Sequence, residues 1–341
     1  MKYVGVDLHK QSITVCVMVK EGDQRKVEQR RTLKCAETAS IRNFFEQLGG
    51  FRVVVEATSH YEWFLLLVED LADRCVLAHP KKLRVIAESK HKSDKIDARI
   101  LAEFLLLDML PEAHRPTPRV RQHRVLVRHR QAVQSQITSV KCKLRHKAAF
   151  YNSDMAKLFT ARGLEYLAKI AMSDADRFEC EALGEQLLFL QKQLRAAEKQ
   201  LASFAQTAPV AERESRAVLA TMPTVGTVTV DVVLSETADV RRFRNAKKIV
   251  AYAGFDPGFR ESAGRGKELH IAKDGSGLLR WALIETAWRL VRKSARWRRL
   301  FMKLQGSTGH KKKAIVGVAR RVLCVMYAML RDGKAYRPEA V

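Results

Sequence analysis

The sequence predicts an α/β domain at the beginning of the chain, followed by two mainly α-helical parts. In the first third, short β-branched runs alternate with helical patterns, and two of these runs end in a carboxylate. Further along, apolar residues recur at helical spacing between basic ones, and a glycine-rich segment interrupts the later helices. We therefore expect three domains, covering residues 1–112, 113–206 and 207–341.

The composition points to a polyanionic partner. The chain has 341 residues, enough for several hydrophobic cores, and a net charge of +25. An anionic membrane surface is the alternative partner, but the sequence has no amphipathic anchor and no apolar run of about 20 residues, which favours nucleic acid. Six cysteines occur singly, without the spacing of a zinc site. Met1 leads directly into a strand pattern, so we expect no signal peptide and a cytoplasmic protein.

Seven elements are predicted in the first domain, in the order βββαβαβ. Their approximate bounds are 3–8, 12–19, 26–33, 39–48, 51–56, 61–72 and 75–78. Acids end the first and the fourth strand, and with these acids the order is that of the ribonuclease H-like fold. Fold order alone does not fix function.

Four carboxylates in this domain are candidate metal ligands. Asp7 and Glu56 end two strands, and Asp94 and Asp97 lie three residues apart at the start of a helix that Ser93 could cap. Taken singly, Asp7 could face solvent or cap a turn, and the other pair could complement the helix N-terminus. Gathered together, the four acids would repel one another unless a cation lies among them, and carboxylate oxygens are ligands that Mg²⁺ takes. Two such ions can activate the attacking oxygen and stabilise the leaving one in phosphoryl transfer.

Three stretches around these acids resemble the acidic motifs of the DEDD transposases, the IS110/IS1111-type insertion-sequence recombinases. The stretches are Val4-Gly5-Val6-Asp7, Val54-Val55-Glu56-Ala57 and Lys92-Ser93-Asp94-Lys95-Ile96-Asp97-Ala98. The resemblance implies a RuvC-like fold for residues 1–112. It also implies that Asp7, Glu56, Asp94 and Asp97 are catalytic residues that bind Mg²⁺, with Mn²⁺ as a substitute.

The second predicted domain is a basic helical arm. Residues 113–153 contain no Asp or Glu, and prolines at 111, 116 and 118 mark the beginning of the arm. A second helical pattern covers about 179–204, so that the two helices predict an antiparallel coiled-coil hairpin. A solvated helix face is the alternative, but the lack of counter-acids favours phosphate contact along DNA or RNA. In the family that the motifs resemble, this region supports dimerisation and nucleic-acid contact.

The last domain has two further features that predict nucleic-acid chemistry. After a polar connection at 208–215, residues 219–234 resemble a helix-hairpin-helix element, whose turn presents backbone N–H groups to a phosphate. Residues 254–277 are predicted to form a glycine-rich loop, in which the backbone can approach a ligand closely. Ser262 lies in this loop, and by the sequence alone an ordinary loop serine is the favoured interpretation. Amphipathic helices at about 281–291 and 313–330 close the chain, with Trp288 and Trp297 expected in or near the core.

The motifs around Ser262 resemble the carboxy-terminal domain of the same transposases. They are Ala251-Tyr252-Ala253-Gly254-Phe255-Asp256-Pro257, Glu261-Ser262-Ala263-Gly264, Ile271-Ala272-Lys273-Asp274-Gly275 and Leu279-Arg280-Trp281-Ala282-Leu283. The resemblance implies that Ser262 is the nucleophile. The sequence departs from the family pattern at Ala263, where glycine is usual, and at Ala272, where serine or threonine is usual.

Basic residues of the last two domains are expected to bind nucleic acid. They are Arg121, Arg124, Arg128, Lys141, Lys143, Arg145, Lys147, Arg260, Arg265, Lys267 and Lys273.

The resemblance implies a transposase that excises and inserts an insertion sequence. Ser262 would attack a DNA phosphodiester in a metal-assisted reaction and form a covalent phosphoserine link. The implied partners are double-stranded DNA at the element ends and at the target, and a structured non-coding RNA encoded by the element. Further copies of the chain are also implied, as a dimer and as a tetramer in the synaptic complex.

Three competing functions stay open. A RuvC-like structure-specific nuclease that resolves junctions with activated water would need no serine nucleophile. An ATPase of the actin and sugar-kinase superfamily also begins with an acid-ended strand, but its further glycine-rich phosphate loops have no counterpart in the sequence. A non-catalytic nucleic-acid-binding protein would keep its activity when the four acids are replaced by alanine.

Overall fold

The computed structural model divides the chain into two compact units, Met1–Arg115 and Pro116–Val341. The structure describes residues 1–58, 60–86, 94–262 and 265–338, without the side chains of 84–86, 94–96, 257–262 and 265–270. The candidate cap Ser93 and the family departure at Ala263 therefore lie outside the described residues. The three-domain division of the sequence stays a prediction.

The first unit is built on one five-stranded sheet. Its strands are β1 (Lys2–Leu8), β2 (Ser12–Glu21), β3 (Gln24–Lys34), β4 (Phe51–Glu56) and β5 (Arg74–Ala78). Across the sheet the order is β3-β2-β1-β4-β5. The first three strands form an antiparallel meander, whereas β4 lies parallel to both β1 and β5. Parallel neighbours need a crossover connection, which the helices between these strands provide.

Helices cover both faces of this sheet. They are α1 (Thr38–Glu46), α2 (Tyr61–Val68), α3 (Pro80–Ile86) and α4 (Asp94–Leu106). On one face α1 and α2 bury Phe45, Phe51 and Phe64, and on the other α4 packs against Val54 and Val76. Burial on both faces is the reason why the central strands are continuous β-branched runs. The mixed α/β order βββαβαβ is confirmed, and it is consistent with a RuvC-like domain.

Two long antiparallel helices begin the second unit. Its first helices are α5 (Pro118–Phe150), α6 (Ala161–Lys169) and α7 (Asp174–Gln206). The start of α5 lies beside the end of α7, since Arg130 pairs with Glu198 whereas Lys147 pairs with Asp176. The second helix begins five residues earlier than predicted because the Ser173 hydroxyl accepts a hydrogen bond from the Asp176 N–H and caps it. The coiled-coil character of this pair stays a prediction.

Two helices joined by a short turn follow, α8 (Val210–Ala220) and α9 (Thr227–Thr237). The helix-hairpin-helix element expected at 219–234 stays a prediction. The expected polar connection at 208–215 is wrong, because α8 begins directly after Pro209. Its polar residues form the outer side of a helix that buries Leu219, and packing of one apolar side decides the conformation. The phosphate-binding role of the turn stays a prediction.

The glycine-rich segment contains a β-hairpin. After α10 (Ala246–Tyr252), the strands β6 (Pro257–Ser262) and β7 (Arg265–Ile271) pair antiparallel. The expected loop at 254–277 is therefore wrong over most of its length. Glycine content indicated a loop, but pairing with a partner strand decides the conformation of such a segment and is not visible in its composition.

Three helices complete the second unit, namely α11 (Gly277–Lys293), α12 (Ala295–Thr308) and α13 (Lys311–Asp332). Trp297 is fully buried, and its Nε1 donates a hydrogen bond of 3.0 Å to the Tyr336 hydroxyl, while Trp288 packs at the edge of the same core. The core position expected for both tryptophans is confirmed. Among the described helices none has the length and apolar composition needed to cross a bilayer.

Candidate functional site

Two of the four candidate carboxylates lie on neighbouring parallel strands. β1 and β4 pair in register up to Val6 and Val55, so that Asp7 and Glu56 follow at the same level of the sheet. In-register neighbours point to the same face of a sheet. Both acids are half-buried, and the Asp7 side chain is 15% exposed. The ends of β1 and β4 thus bring two acids from distant parts of the sequence to one edge.

The face to which Asp7 belongs is fixed by a close backbone approach at Gly5. A Cβ atom on Gly5 would lie 2.1 Å from the carbonyl oxygen of Ala98 and 2.4 Å from the backbone nitrogen of Ala102, both in α4. Only glycine allows strand and helix to touch in this way. Asp7 follows two residues later and hence lies on the same side of β1, the side that α4 covers.

The first turn of α4 lies at the same edge of the sheet. Ala98 packs beside Gly5, whereas Leu106 packs with Val27, which lies level with the beginning of β1. The helix therefore runs back along β1, and its N-terminus, with the half-buried Asp97, lies where β1 and β4 end. Asp94 is the first residue of α4, but its side chain is outside the described set. The positive end of the helix dipole favours carboxylates and phosphates at this edge.

The described side chains do not by themselves complete a metal site. Among them, with Asp94 left out, no group of three or more His, Cys, Asp and Glu side chains is arranged to hold a metal. Half-buried carboxylates on a rigid sheet edge are nevertheless the donors that Mg²⁺ takes, so that Asp7 and Glu56 fit such an ion. The Asp7 Oδ2 also lies 3.1 Å from Nε2 of His9. His9 was not predicted as a site residue, although a histidine two residues after a strand-end acid was a usable signal.

Two further polar residues at this edge were not predicted. Thr14 lies opposite Asp7 in the pairing of β1 with β2 and is buried, with its hydroxyl 3.5 Å from that of Thr32. His79 follows β5, and its buried Nδ1 has no hydrogen-bond partner among the described residues. Single polar residues inside apolar strand patterns resemble ordinary core positions in the sequence, which is why they gave no signal.

The candidate nucleophile Ser262 is the last residue of β6. It pairs with Arg265 across the hairpin, and residues 263–264 between them lie outside the described part of the chain. The side chains of Ser262, Arg260, Arg265 and Lys267 are also outside the described set. Their roles therefore stay predictions.

The base of this hairpin is held by close backbone contacts. Gly254 has a φ of +70°, and a Cβ atom on Gly275 would lie 2.0 Å from the carbonyl oxygen of Tyr252. Lys273 has a φ of 57°, which is uncommon for a residue with a side chain, and its N–H donates to the Gly254 carbonyl at 3.2 Å. These contacts hold Lys273, one of the expected nucleic-acid-binding cations, in an exposed position.

Two of the expected nucleic-acid-binding cations of α5 are bound within the second unit. Arg128 forms a bidentate pair with Glu236, at 2.9 and 3.0 Å, and the carboxylate is only 2% exposed. The hydrogen bonds that Arg128 donates to this carboxylate raise the pKa of Arg128. Arg124 donates to the carbonyl oxygens of Ser235 and Glu236 at the end of α9. Both guanidinium groups thus satisfy buried acceptors.

Lys147, near the end of α5, is bound in a similar way. Its ammonium group lies 2.5 Å from Oδ1 of Asp176 and 2.8 Å from Oε2 of Glu179, both in α7. The hydrogen bonds from Lys147, Tyr151 and Ser173 hold the pKa of Asp176 at about 2. The inference that the basic run lacks counter-acids is therefore wrong in the folded protein. Acids from α7 and α9 supply them, and no stretch of neighbouring sequence could show this.

Lys141 and Arg145 lie against one aromatic ring. Each cation is 5.2 Å from the ring centroid of Phe159, and Arg145 also pairs with Asp154 at 3.3 Å. Such contacts orient both side chains on the surface of the arm.

Arg121 and Lys143 are the last two expected cations of α5. Arg121 is half-buried and donates to the Pro116 carbonyl oxygen at 2.6 Å. Lys143 is exposed and forms no ion pair with the described residues. Of the α5 cations, Lys143 is the one whose charge is best available to a phosphate.

Models of known protein families match both units of the chain. One, for DEDD transposases of the IS110 type and described as "Transposase", matches residues 4–152, and another, described as "Transposase IS116/IS110/IS902 family", matches residues 216–302. The class that the sheet, its acidic edge and these matches define is that of insertion-sequence transposases. Within this class, the chain belongs to the IS110 family.

Two similar proteins come from insertion elements of Streptomyces. The chain is 24% identical over 194 residues to the 44.8 kDa protein of IS116 from Streptomyces clavuligerus, which is 57% of this chain and 47% of that protein. It is 27% identical over 155 residues to the 43.6 kDa protein of IS110 from Streptomyces coelicolor, which is 46% of this chain and 37% of that protein. The matched regions span less than half the length of each relative.

Proposed function

We propose that the protein is a DNA transposase that cuts and joins strands at the ends of an insertion sequence and at its target. The observation that carries this proposal is the edge at which Asp7 and Glu56 end two adjacent parallel strands beneath the helix that holds Asp97. Membership of the IS110 family supports it. Asp94, one turn before Asp97 in the same helix, is proposed as the fourth ligand.

The acidic edge would hold a divalent cation through its carboxylate oxygens. Mg²⁺, or Mn²⁺ in its place, would polarise the scissile phosphate and stabilise the leaving oxygen. The strands β1 and β4 would keep Asp7 and Glu56 oriented, because both strands are buried in the sheet. The N-terminus of α4 would favour the negative charge of the phosphate.

Ser262 would act as the nucleophile in two balanced steps. In the first, its hydroxyl loses a proton as its oxygen bonds to phosphorus, and the bond from phosphorus to the sugar oxygen breaks, so that a strand hydroxyl leaves with a proton. In the second, the hydroxyl of another strand attacks the phosphoserine, and Ser262 regains its proton. One phosphodiester is thereby exchanged for another.

We further propose that a structured RNA encoded by the element selects the donor and target sequences. Copies of the chain would assemble as a dimer, and as a tetramer in the synaptic complex, with Ser262 of one copy serving the acidic edge of another. The net charge of +25 supports simultaneous binding of RNA and DNA.

The test incubates the full-length protein with DNA of the element ends, Mg²⁺ and the candidate RNA. We expect a covalent DNA–protein adduct that mass spectrometry maps to Ser262. Ser262→Ala should abolish the adduct, Asp7→Asn should abolish both adduct and cleavage, and Ser307→Ala, which changes an exposed serine of α12, should leave both intact. An adduct that persists in Ser262→Ala would contradict the assignment of the nucleophile.

A junction-resolving nuclease is the second candidate, because the same acidic edge could activate water. In that case Ser262→Ala would cleave DNA as well as the unaltered protein, and neither would form an adduct. Loss of cleavage in Asp7→Asn together with intact cleavage in Ser262→Ala is the pattern that favours the nuclease over the transposase.

A further inference from the structure

The second unit contains a cleft with a volume of about 930 Å³ between α5, α11 and the turn that precedes α9. Pockets that bind ligands typically have volumes of about 300–1,000 Å³. The turn before α9, for which the sequence predicts a phosphate contact, lines this cleft. None of the other residues that the sequence assigned to catalysis or phosphate binding lines it. Its walls nevertheless combine three features that suit one class of ligand.

The first feature is positive charge on one wall. Arg289, Arg292 and Lys293 of α11 line the cleft, together with a single carboxylate, Glu285. The Nε of Arg289 donates to the Glu285 carbonyl oxygen at 3.1 Å, which holds the guanidinium along the helix. Among the ion pairs of the described side chains, none involves Arg289, Arg292 or Lys293. Their charges are therefore available to an anion.

The second feature is a helix N-terminus with an unsatisfied hydroxyl beside it. α9 begins after Gly226, no side chain caps it, and its first residues line the cleft. The backbone N–H groups of such a first turn lack intrahelical partners and bind phosphate readily. Thr224, in the turn, has a φ of 68° and a buried Oγ1 without a hydrogen-bond partner among the described residues. A β-branched residue in the left-handed region is strained, and strain of this kind collects at ligand sites.

The third feature is an exposed aromatic ring. Trp281 of α11 lines the cleft and is 40% exposed, although Trp297 of the neighbouring helix is fully buried. An indole ring beside a cationic wall is the arrangement on which unpaired bases stack, because every base has a flat face. Bases inside a duplex are already stacked on one another and cannot use such a ring.

We propose that this cleft binds unpaired nucleotides of a single strand of RNA or DNA. A phosphate lies at the N-terminus of α9, within reach of Thr224 and Arg289, and a base stacks on Trp281. The choice of a strand over a free nucleotide rests on the function proposed above, which gives the protein a nucleic-acid partner.

The experiment measures fluorescence anisotropy of labelled oligothymidylate, oligouridylate and a duplex of equal length with the full-length protein. We expect Trp281→Ala to weaken binding of both single strands by about 5- to 100-fold, which is the range for loss of one stacked base. Binding of the duplex should stay nearly unchanged, and Trp281→Phe should retain most of the affinity for single strands. Circular dichroism confirms that both variants are folded. Equal loss for duplex and single strand would overturn the proposal.

A matched pair of double variants separates the cleft from general charge. Arg292→Ala/Lys293→Ala removes two exposed cations from the cleft, and Lys247→Ala/Lys248→Ala removes two exposed cations from α10. We expect the first variant to lower single-strand affinity several-fold more than the second at the same salt concentration. Equal effects of the two variants would contradict a localised site.

Two further arms identify the ligand. Trp281-dependent binding of either strand supports the proposal, and the ratio of the two affinities shows whether RNA or DNA is preferred. Competition by adenosine monophosphate at the same concentration as the strand would overturn it, since the cleft would then be a mononucleotide site. If the protein forms the Ser262 adduct but Trp281→Ala leaves its affinity for single strands unchanged, only the inference about this cleft is contradicted. If Trp281→Ala weakens single-strand binding but the protein forms no Ser262 adduct, only the proposed reaction of Ser262 with DNA is contradicted.

Discussion

At Gly5 the backbone of β1 touches the backbone of α4, the helix whose first turn carries Asp97. Any side chain at this position would force strand and helix apart, because both contacted atoms belong to the main chain and cannot rotate away. Gly5 therefore determines how closely α4 packs against β1, two residues before Asp7.

We predict that Gly5→Ala destabilises the protein by about 1–3 kcal/mol, the usual cost of overpacking. Urea denaturation followed by circular dichroism measures the change. Gly184→Ala is the control, because a Cβ atom there meets nothing within 4 Å. Alanine favours the helix by about 1 kcal/mol relative to glycine, so this variant should not be destabilised. If Gly5→Ala unfolds at the same urea concentration as the unaltered protein, the contact between β1 and α4 is not formed in solution.

Arg128 and Lys143 are both basic residues of α5, but their surroundings differ. The buried carboxylate of Glu236 accepts two hydrogen bonds from Arg128, whereas Lys143 is exposed. Removing the partner of a buried charge lowers the free energy of unfolding more than removing a charge that is exposed to water. Arg128 is itself half-exposed, so water replaces part of its interaction with Glu236.

We predict that Arg128→Ala lowers the free energy of unfolding by about 1–3 kcal/mol, whereas Lys143→Ala leaves it unchanged. For binding to duplex DNA we expect the opposite, with the larger effect from Lys143→Ala. Lys143→Ala should reduce the slope of log affinity against log salt by about 1, and Arg128→Ala should leave the slope unaltered. Denaturation and salt titrations measure the two quantities. A change in slope with unchanged stability for Arg128→Ala would show that this arginine contacts phosphate.

Among the helices, the start of α7 shows how two elements are joined by charge. Ser173 caps the helix, and the Asp176 carboxylate accepts hydrogen bonds from Ser173, Tyr151 and Lys147. Lys147 lies in the last turn of α5, and Tyr151 directly follows that helix. These bonds favour the ionised carboxylate in the folded state, which is why the pKa of Asp176 falls to about 2.

We predict that this junction loses stability in acid. An unfolded aspartate has a pKa of about 3.9. Because the folded pKa of Asp176 is lower, its contribution is complete above about pH 4 and disappears as the pH falls towards 2. The difference in unfolding free energy between the unaltered protein and Asp176→Asn should therefore shrink over this window, measured by urea denaturation at a series of pH values. A difference that stays constant from pH 5 to about pH 2 would contradict the assigned pKa.

For the molecule as a whole, the distribution of charge differs from the one that the sequence emphasised. Several cations of residues 113–153 are paired with acids of other elements. Between Glu285 and Asp332 there is likewise no Asp or Glu, and the described ion pairs of this stretch involve only Arg331. The helices α11, α12 and α13 therefore carry much of the charge that is available to nucleic acid.

We predict that replacing Lys311, Lys312 and Lys313 with alanine lowers the salt slope of duplex binding by about 2–3, since each phosphate contact contributes about 0.9. Stability should not fall, because three cations at the N-terminus of α13 oppose its dipole. The matched control replaces three exposed cations of α7, Lys192, Arg195 and Lys199, which lie close in sequence to the acid Glu198. Equal slopes for the two variants would mean that the charge at α13 is not part of the binding surface.

The sequence by itself determined the five strands of the first unit, the helices α1 and α2, the start of α4, the acids that end β1 and β4, and the resemblance to the IS110-type transposases, whereas α3 was not predicted. These are local properties, since the hydrophobic period and the residue at the end of a run can be read within a short window. The core positions of Trp288 and Trp297 were predictable for the same reason.

Only the tertiary structure decided where the charges are compensated and which segments pair. The hairpin of β6 and β7, the counter-acid Glu236 of Arg128 and the exposed ring of Trp281 in a cleft all depend on residues far apart in the sequence. Backbone pairing and burial of charge gain their free energy from such distant partners, and a local pattern carries no record of them.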